Sequence, residues 1–305
     1  MNVAELLLPD FTLIVLGHLL CRYTPLNRNI WQPVESLVYF VLFPVLLFHA
    51  IVKSPLQLQD LNFAFTGVIF AIGTMALVLL LPKVGVLSRH WSAHDFAGSA
   101  QIGFRFNSYI ALAVAERAGG APSLLLMAML IGFCVPLYNV GAVWPMVRQG
   151  QNRSLFKELL RNPLVIATTS GLVANWLGFR IPLWLEPAVA RVGSSALALG
   201  LMAAGAGLLW QQLSANRLLS VCLLGIRHAV APVVAYGLAR WMQLSDTQTL
   251  VLMIFSALPT SSAAYVLASR MGFNGSYVAG LITLSIGLSV ISLSVVLSLF
   301  APLAR

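Results

Sequence analysis

Charged residues are scarce in this chain. Only 9% of its 305 residues are Asp, Glu, Lys or Arg, whereas an ordinary soluble domain carries about 25%. Hydrophobic residues make up 59%, so a soluble protein of this length would lack the charge to cover its surface. Intrinsic disorder requires the opposite composition and is excluded as well. The composition therefore predicts a polytopic membrane protein, with the lipid bilayer as its surroundings.

Acidic residues and cysteines are scarcer still. Asp and Glu total 9 against 18 Lys and Arg, which gives a net charge of +9. In a membrane protein, basic residues collect in cytoplasmic loops, so we predict no nucleic-acid partner. The 3 cysteines cannot form a disulfide framework and lack the spacing of metal ligands. No phosphate-binding glycine loop and no catalytic dyad at membrane depth is found, so we predict neither ATP use nor enzymatic activity.

The apolar residues form long runs. Crossing the hydrocarbon core takes about 20 residues of helix, and lipid offers no partners for open peptide groups. We predict an all-α polytopic membrane protein with ten transmembrane helices. The predicted spans are 4–21, 33–52, 62–82, 97–116, 121–146, 163–179, 184–208, 217–242, 247–269 and 276–300.

The basic residues predict the orientation. With the N-terminus outside, ten Lys or Arg residues fall in inner loops and span ends, six fall in outer ones, and Arg105 and Arg227 lie inside spans. Because cytoplasmic loops are enriched in positive charge, we expect a multi-pass protein of the cell's inner (plasma) membrane with both termini outside. The longest inner connection, residues 148–162, has the pattern of a cytoplasmic amphipathic linker.

Two halves of the chain are similar to each other. Residues 107–119 resemble residues 260–272 at an offset of 153, with alanine, arginine and glycine at the same three positions. We therefore predict one five-helix repeat over 1–147, the linker 148–162, and a second repeat over 163–305. Because five is odd, the second repeat would be inverted in the membrane, which is typical of secondary transporters.

Several segments carry a family resemblance. They are Tyr39–Phe48, Asn162–Ile166 with Gly171–Asn175, Ala196–Leu208, Ala257–Thr260 with Ala264–Ala268, and Pro136 with Asn139. In order and spacing they are similar to the auxin efflux carrier family, which includes bacterial malonate-type permeases and plant auxin exporters. The resemblance implies a fold like that of bile-acid sodium symporters and an elevator mechanism for organic anions, mostly carboxylates. Spans 1, 2, 6 and 7 would form a scaffold, available for homodimer contact, and spans 3–5 and 8–10 a moving core.

The resemblance also implies broken helices 4 and 9 that cross near the membrane centre. Span 4 departs from the family pattern because its central stretch, Gly103–Ile110, has no proline. The break there must come from Gly103, Asn107 and Ser108. Glycines on the scaffold would give the core a smooth surface to move along, since small residues permit close helix packing. These are Gly171, Gly193, Gly200, Gly205 and Gly207.

Arg105 is the first candidate for substrate binding. A charge at mid-membrane costs from about 2.5 kcal/mol upward and is tolerated when it faces a cavity, a partner or a substrate. A guanidinium fork suits a carboxylate; alternatively, Arg105 pairs with a nearby acid or with carbonyls. Asn107 and Ser108 follow in the same break, where the Asn107 amide could bind substrate or join two helices.

The second set of candidates surrounds Pro259. Proline lacks a backbone donor and frees a carbonyl one turn earlier, and the hydroxyls of Thr260 and Ser261 could satisfy freed groups or line a cavity. The alternative is an ordinary kinked helix. Asn139 is a further polar candidate in an apolar run, for the site or for support between helices.

Arg227 and His228 are candidates for ion coupling in span 8. A histidine can carry a proton near neutral pH; alternatively, the two form a hydrogen-bonded packing pair. No carboxylate lies at mid-membrane in the predicted core, so proton coupling or uniport is favoured over sodium coupling. Carbonyls of broken helices could still bind Na+ alone. We predict no resident cofactor or metal ion.

Together these patterns predict a secondary transporter of small organic anions that works by alternating access. Two alternatives stay open: a sodium-coupled symporter of the bile-acid type, and a membrane sensor that keeps the transporter fold.

Overall fold

The computed structural model describes residues 3–53, 58–85, 91–149, 163–208, 216–261 and 263–301. Every regular element in these ranges is helical, which confirms the all-α class. Most of the predicted linker, from residue 150 to 162, lies outside the described residues. The helices are α1 Val3–Tyr23, α2 Arg28–Leu37, α3 Phe43–Lys53, α4 Leu58–Leu80, α5 Ala93–Ser99, α6 Ser108–Arg148, α7 Pro163–Trp176, α8 Glu186–Ala206, α9 Arg217–Gly225, α10 Ala231–Trp241, α11 Asp246–Ala257, α12 Ala263–Arg270 and α13 Gly275–Phe300.

Short turns of other helix types join some of these helices. Wider turns of π-helix at Val38–Leu42 and Ile226–Val230 connect α2 to α3 and α9 to α10. Consequently Arg28–Lys53 and Arg217–Trp241 each run as one long apolar helix. Tighter 3-10 turns follow α4 and α5, at Leu81–Lys83 and Ala100–Gly103.

Among the described residues, 6 helical segments are long and apolar enough to cross a membrane. They are Arg28–Lys53, Leu61–Lys83, Ala93–Arg148, Glu186–Ala206, Arg217–Trp241 and Gly275–Phe300. The number is lower than the ten predicted spans for local reasons. Predicted spans 4 and 5 share Ala93–Arg148, and span 9 is divided between α11 and α12. Within span 1 the apolar helical segment is the shorter Phe11–Tyr23, and span 6 falls on α7, which has 14 residues.

The helices pack in two groups. In one, α1 packs on α8, α3 packs on α7, and α8 also contacts α2 and α3. In the other, α11 is central and contacts α6, α10 and α13, while α4 packs on α6 and α12 on α13. We call the group of α1, α2, α3, α7 and α8 the scaffold group and the remaining helices the core group.

Glycines let two helices of the scaffold group approach closely. A Cβ atom at Gly205 of α8 would overlap the carbonyl oxygen of Ile14, and one at Gly17 of α1 would overlap the carbonyl oxygen of Met202. The close approach is therefore between the backbones of α1 and α8.

The expectation that the scaffold glycines form a surface for the core is largely wrong. Gly171, Gly193, Gly205 and Gly207 all face other residues of the scaffold group. The exception is Gly200, where a Cβ atom would lie 2.6 Å from a ring carbon of Tyr109 in α6. These glycines hold the scaffold group together, because the helices there need small residues for their own packing.

Two helices of the core group are interrupted. After α5 and its 3-10 turn, residues 104–107 leave the helical path and α6 begins at Ser108. Likewise α11 ends at Ala257 and α12 begins at Ala263. The helical path of α6 is kinked at Gly120, where φ of 65° and ψ of −154° are not helical, so its first segment ends there. Likewise α12 ends at Arg270, just before Gly272, whose φ is 78°. Glycine adopts such positive φ angles without strain.

Candidate functional site

The two interruptions meet inside the protein. The backbone N–H of Asn107 donates a hydrogen bond of 2.8 Å to the carbonyl oxygen of Pro259. Both residues lie outside helices, so their peptide groups lack the partners that a continuous helix would supply. The hydrogen bond satisfies one group from each interruption and fixes the two against each other.

Asn107 also caps the helix that follows it. Its Oδ1 accepts hydrogen bonds from the backbone N–H groups of Tyr109, at 3.0 Å, and Ile110, at 3.2 Å. This is the preferred chemistry at a helix N-terminus, and it explains how the chain breaks here without proline. The Nδ2 group of Asn107 is buried and has no hydrogen-bond partner in the described part of the chain.

Arg105 lies between the 3-10 turn and α6. Its Nη1 donates to Oε1 of Gln101 at 2.9 Å, and its backbone N–H donates to the carbonyl of Gln101, also at 2.9 Å. Gln101 in turn donates through Nε2 to the carbonyl of Ala264 in α12, at 3.1 Å. The glutamine therefore ties the arginine to the second interruption.

Arg105 has no carboxylate partner among the described residues. The ion pairs found there join Arg28 to Glu35, and His49 and Lys53 to Glu186. The sequence left pairing with an acid or with carbonyls as the alternative to substrate binding. Within the described ranges no acid pairs with Arg105, whereas the side-chain carbonyl of Gln101 accepts from its Nη1 at 2.9 Å.

A cavity of about 80 Å³ lies where the interruptions meet. It is lined by Tyr39, Phe43, Arg105, Phe106, Asn107, Ser108, Tyr109, Val135, Tyr138, Asn139, Ser261 and Ala263. The structure thus brings together five of the predicted site residues from three separate stretches of sequence: Arg105, Asn107, Ser108, Asn139 and Ser261. Pro259 and Thr260 adjoin Ser261 but are not among the lining residues.

Two helix N-termini reach the same cavity. Ser108 is the first residue of α6 and Ala263 the first of α12, and both line the cavity. The N-terminus of a helix carries partial positive charge, which favours an anion. At α6 the N–H groups of Tyr109 and Ile110 are already taken by Asn107, so there the contribution is the charge of the helix end. With Arg105, the cavity therefore combines three sources of positive potential.

Sequence reasoning missed the aromatic part of this cavity. Tyr39 and Phe43 come from the scaffold group, and Tyr109 and Tyr138 from α6. The rings of Phe43 and Tyr109 meet edge to face with centroids 5.0 Å apart. Tyr39 and Phe43 stand in a continuous apolar run, whereas Tyr109 and Tyr138 adjoin the polar candidates Ser108 and Asn139. That adjacency was the one local signal that could have found them.

Arg227 and His228 lie elsewhere, behind the second interruption. Arg227 is fully buried and donates to the carbonyls of Leu258, at 2.7 Å, and Phe255, at 3.1 Å. His228 hydrogen bonds through its two ring nitrogens to Ser292, at 3.1 Å, and Ser285, at 2.8 Å. Neither residue lines the cavity.

The two serines connect His228 to the interruption. Ser285 Oγ accepts from the backbone N–H of Thr260 at 2.9 Å, and Ser292 Oγ donates to the carbonyl of Ala257 at 2.9 Å. The hydroxyl of Thr260 is buried and has no partner within the described ranges. Hydrogen bonds with Arg227, Ser285 and Ser292 thus stabilise the interruption around Pro259 on the side away from the cavity, and His228 bonds to both serines.

The apolar, membrane-length helices define a multi-pass membrane protein, and the cavity with its polar side chains lies among them. In the comparison with protein families, the profile described as membrane transport protein matches residues 145–297, half of the chain. The chain belongs to this family, the auxin efflux carrier family, which confirms the resemblance seen in the sequence. This is a family of membrane transporters. No curated protein matches the chain.

Proposed function

We propose that this transporter carries small organic anions, mono- or dicarboxylates, across the inner (plasma) membrane by alternating access. The observation that carries the proposal is Arg105 at the cavity without a carboxylate partner in the described ranges. A charge in the membrane interior is retained where a cavity, partner or substrate compensates it. A substrate carboxylate would supply that compensation, through two parallel hydrogen bonds from the guanidinium.

The other polar groups of the cavity favour the same class of substrate. Asn107 contributes an amide donor left over from helix capping, and Ser108 and Ser261 place hydroxyls at the wall near two helix N-termini. Asn139 adds a second amide. Each of these groups can donate a hydrogen bond to an oxyanion. The preference for an anion over a cation would come from the positive charge of Arg105 and of the two helix N-termini.

The size of the cavity favours a compact substrate. Its volume is about 80 Å³. A short carboxylate such as malonate matches that space better than a steroid does. This weighs against the alternative of a bile-acid-type substrate.

For the whole chain we propose ten spans in two inverted repeats, 1–147 and 163–305, joined by a cytoplasmic linker over 148–162. The two interruptions support the repeat, because Asn107 and Thr260 stand 153 residues apart at matching places after a half-helix. The positive-φ glycines Gly120 and Gly272 close the second half-helix in each. Both termini would then lie outside.

An elevator movement would carry the core group past the scaffold group. The cavity lies at the boundary between them, since Tyr39 and Phe43 belong to the scaffold group and Arg105, Asn107 and Ser261 to the core group. Displacement of the core group would therefore change which side of the membrane the cavity faces. The scaffold group would stay fixed, and we propose that it also forms a homodimer, which mass measurement in nanodiscs can test.

Uptake of [14C]malonate into proteoliposomes tests the proposal. We expect uptake by the wild type, background uptake by Arg105→Ala and intermediate uptake by Arg105→Lys, because lysine keeps the charge but loses the fork. Arg191→Ala, at an exposed position of α8, is the matched control and should transport normally. Unchanged malonate affinity in Arg105→Ala would exclude this residue from the site, and tight binding without any uptake would favour a sensor.

A further inference from the structure

The carbonyl end of α11 has lost its helical donors. Proline has no N–H, so Pro259 cannot donate to the carbonyl of Phe255, its partner four residues earlier in a regular helix. The chain also turns extended at Leu258, with φ of −61° and ψ of 150°. The carbonyls of Phe255, Ala257 and Leu258 therefore need partners from elsewhere.

A buried guanidinium supplies most of them. Arg227 is 0% exposed, and its Nη2 donates to Phe255 at 3.1 Å while its Nε donates to Leu258 at 2.7 Å. The hydroxyl of Ser292 donates a hydrogen bond of 2.9 Å to the carbonyl of Ala257. The last turn of a helix carries partial negative charge, which a cation stabilises.

Broken helices in transporters use such carbonyl ends to coordinate Na+ or H+. Here the position is already held by a cation that cannot dissociate, because it is covalently part of the neighbouring helix. We propose that Arg227 is a positioning residue that acts as a tethered cation, so that the interruption at Pro259 keeps its shape without a bound metal cation.

The position of Arg227 matters for the cavity because the interruption that it stabilises is hydrogen-bonded to a cavity residue. The residue after Leu258 is Pro259, whose carbonyl accepts from the backbone N–H of Asn107 at 2.8 Å, and Asn107 lines the cavity. Loss of Arg227 would free the carbonyl end of α11, shift Pro259 and release Asn107. The link to transport rests on the proposed function, whereas the effect on the fold does not.

The test measures thermal unfolding of purified protein in detergent, with no substrate present. We expect the wild-type Tm to be unchanged when NaCl is replaced by N-methylglucamine chloride at equal ionic strength. Arg227→Ala should lose about 5–10 °C, because buried carbonyls are left without donors. About 10 mM guanidinium chloride, but not tetramethylammonium chloride, should restore much of that loss in Arg227→Ala and none in the control Arg240→Ala, which is exposed on α10.

Two further variants keep the inference testable if Arg227→Ala does not fold. Arg227→Lys retains the charge and should stay more stable than Arg227→Met, which retains only the length. Equal stability of Arg227→Met and the wild type would overturn the proposal, as would a wild-type Tm that falls when Na+ is removed. Failure of [14C]malonate uptake by the wild type would overturn the proposed function alone, since these unfolding measurements involve no transport.

Discussion

Asn107 donates its backbone N–H to the carbonyl of Pro259 at 2.8 Å while its side chain caps α6. One residue thus joins the two interrupted helices and begins one of the half-helices that reach the cavity. Its Nδ2 stays buried without a partner in the described ranges. Capping and substrate contact are carried by different atoms of the same amide, so substitutions can separate them.

We predict that Asn107→Ser keeps the cap and loses the substrate contact. Serine caps helices about as well as asparagine, whereas alanine at an N-cap costs about 0.5–2 kcal/mol. Asn107→Ser should therefore unfold near the wild-type Tm but bind malonate at least tenfold more weakly. Asn107→Ala should lose both stability and binding.

Paired thermal-shift and malonate-binding measurements on the two variants check this prediction. Asn29→Ser, at an exposed position of α2 far from the cavity, serves as the control for a simple amide-to-hydroxyl change. Wild-type malonate affinity in Asn107→Ser would show that the amide serves the helix cap alone.

We predict that Gly205→Ala destabilises the scaffold group. The new Cβ would overlap the backbone carbonyl of Ile14, and backbone atoms cannot rotate away as a side chain can. Overpacking of this kind typically costs about 1–3 kcal/mol. The loss should appear as a lower midpoint of thermal unfolding.

Gly73→Ala is the matched control because it is also a helical glycine. Nothing lies within 4 Å of a Cβ atom built at Gly73, so alanine there should be neutral or stabilise the helix by about 0.5–1 kcal/mol. An equal loss of stability in both variants would point to a general effect of glycine replacement rather than to contact between α1 and α8.

The helical class could be predicted from the sequence because long apolar runs must be helical in lipid. The two interruptions were expected from the family resemblance. Pro259, which lacks a backbone donor, gives a local reason for the second, whereas the first has no proline. The five predicted residues around the cavity stood out because they are polar residues in apolar surroundings. By the same rule, Tyr39 and Phe43 could not be recognised, since an aromatic ring in an apolar run looks alike in a cavity wall and in a core.

Contacts between residues that are far apart in the sequence could not be predicted from local patterns. Arg227 reaches a carbonyl 31 residues further along the chain, and the sequence offered a coupling residue or a packing pair instead. The scaffold glycines were assigned to the wrong neighbour for the same reason. A glycine such as Gly205 indicates from the sequence that another helix packs closely. The sequence does not indicate that the closely packed backbone is that of Ile14.

The orientation in the membrane gives the last prediction. Lys53 at the end of α3 pairs with Glu186 at the start of α8 at 2.9 Å, so these two helix ends share one face of the protein. Asn216 before α9 donates to Asp95 in α5 at 2.7 Å, so the starts of α9 and α5 also share one face. The bias of basic residues assigns the first pair to the outside and the second to the cytoplasm.

Single cysteines can test this assignment. In a background with Cys21, Cys134 and Cys222 replaced by alanine, Leu183→Cys lies in the exposed connection before α8 and Gln149→Cys at the exposed end of α6. A membrane-impermeant maleimide applied to intact cells should label Leu183→Cys, whereas Gln149→Cys should react after the membrane is permeabilised. The reverse pattern would invert the whole topology, and with it place residues 148–162 outside the cell.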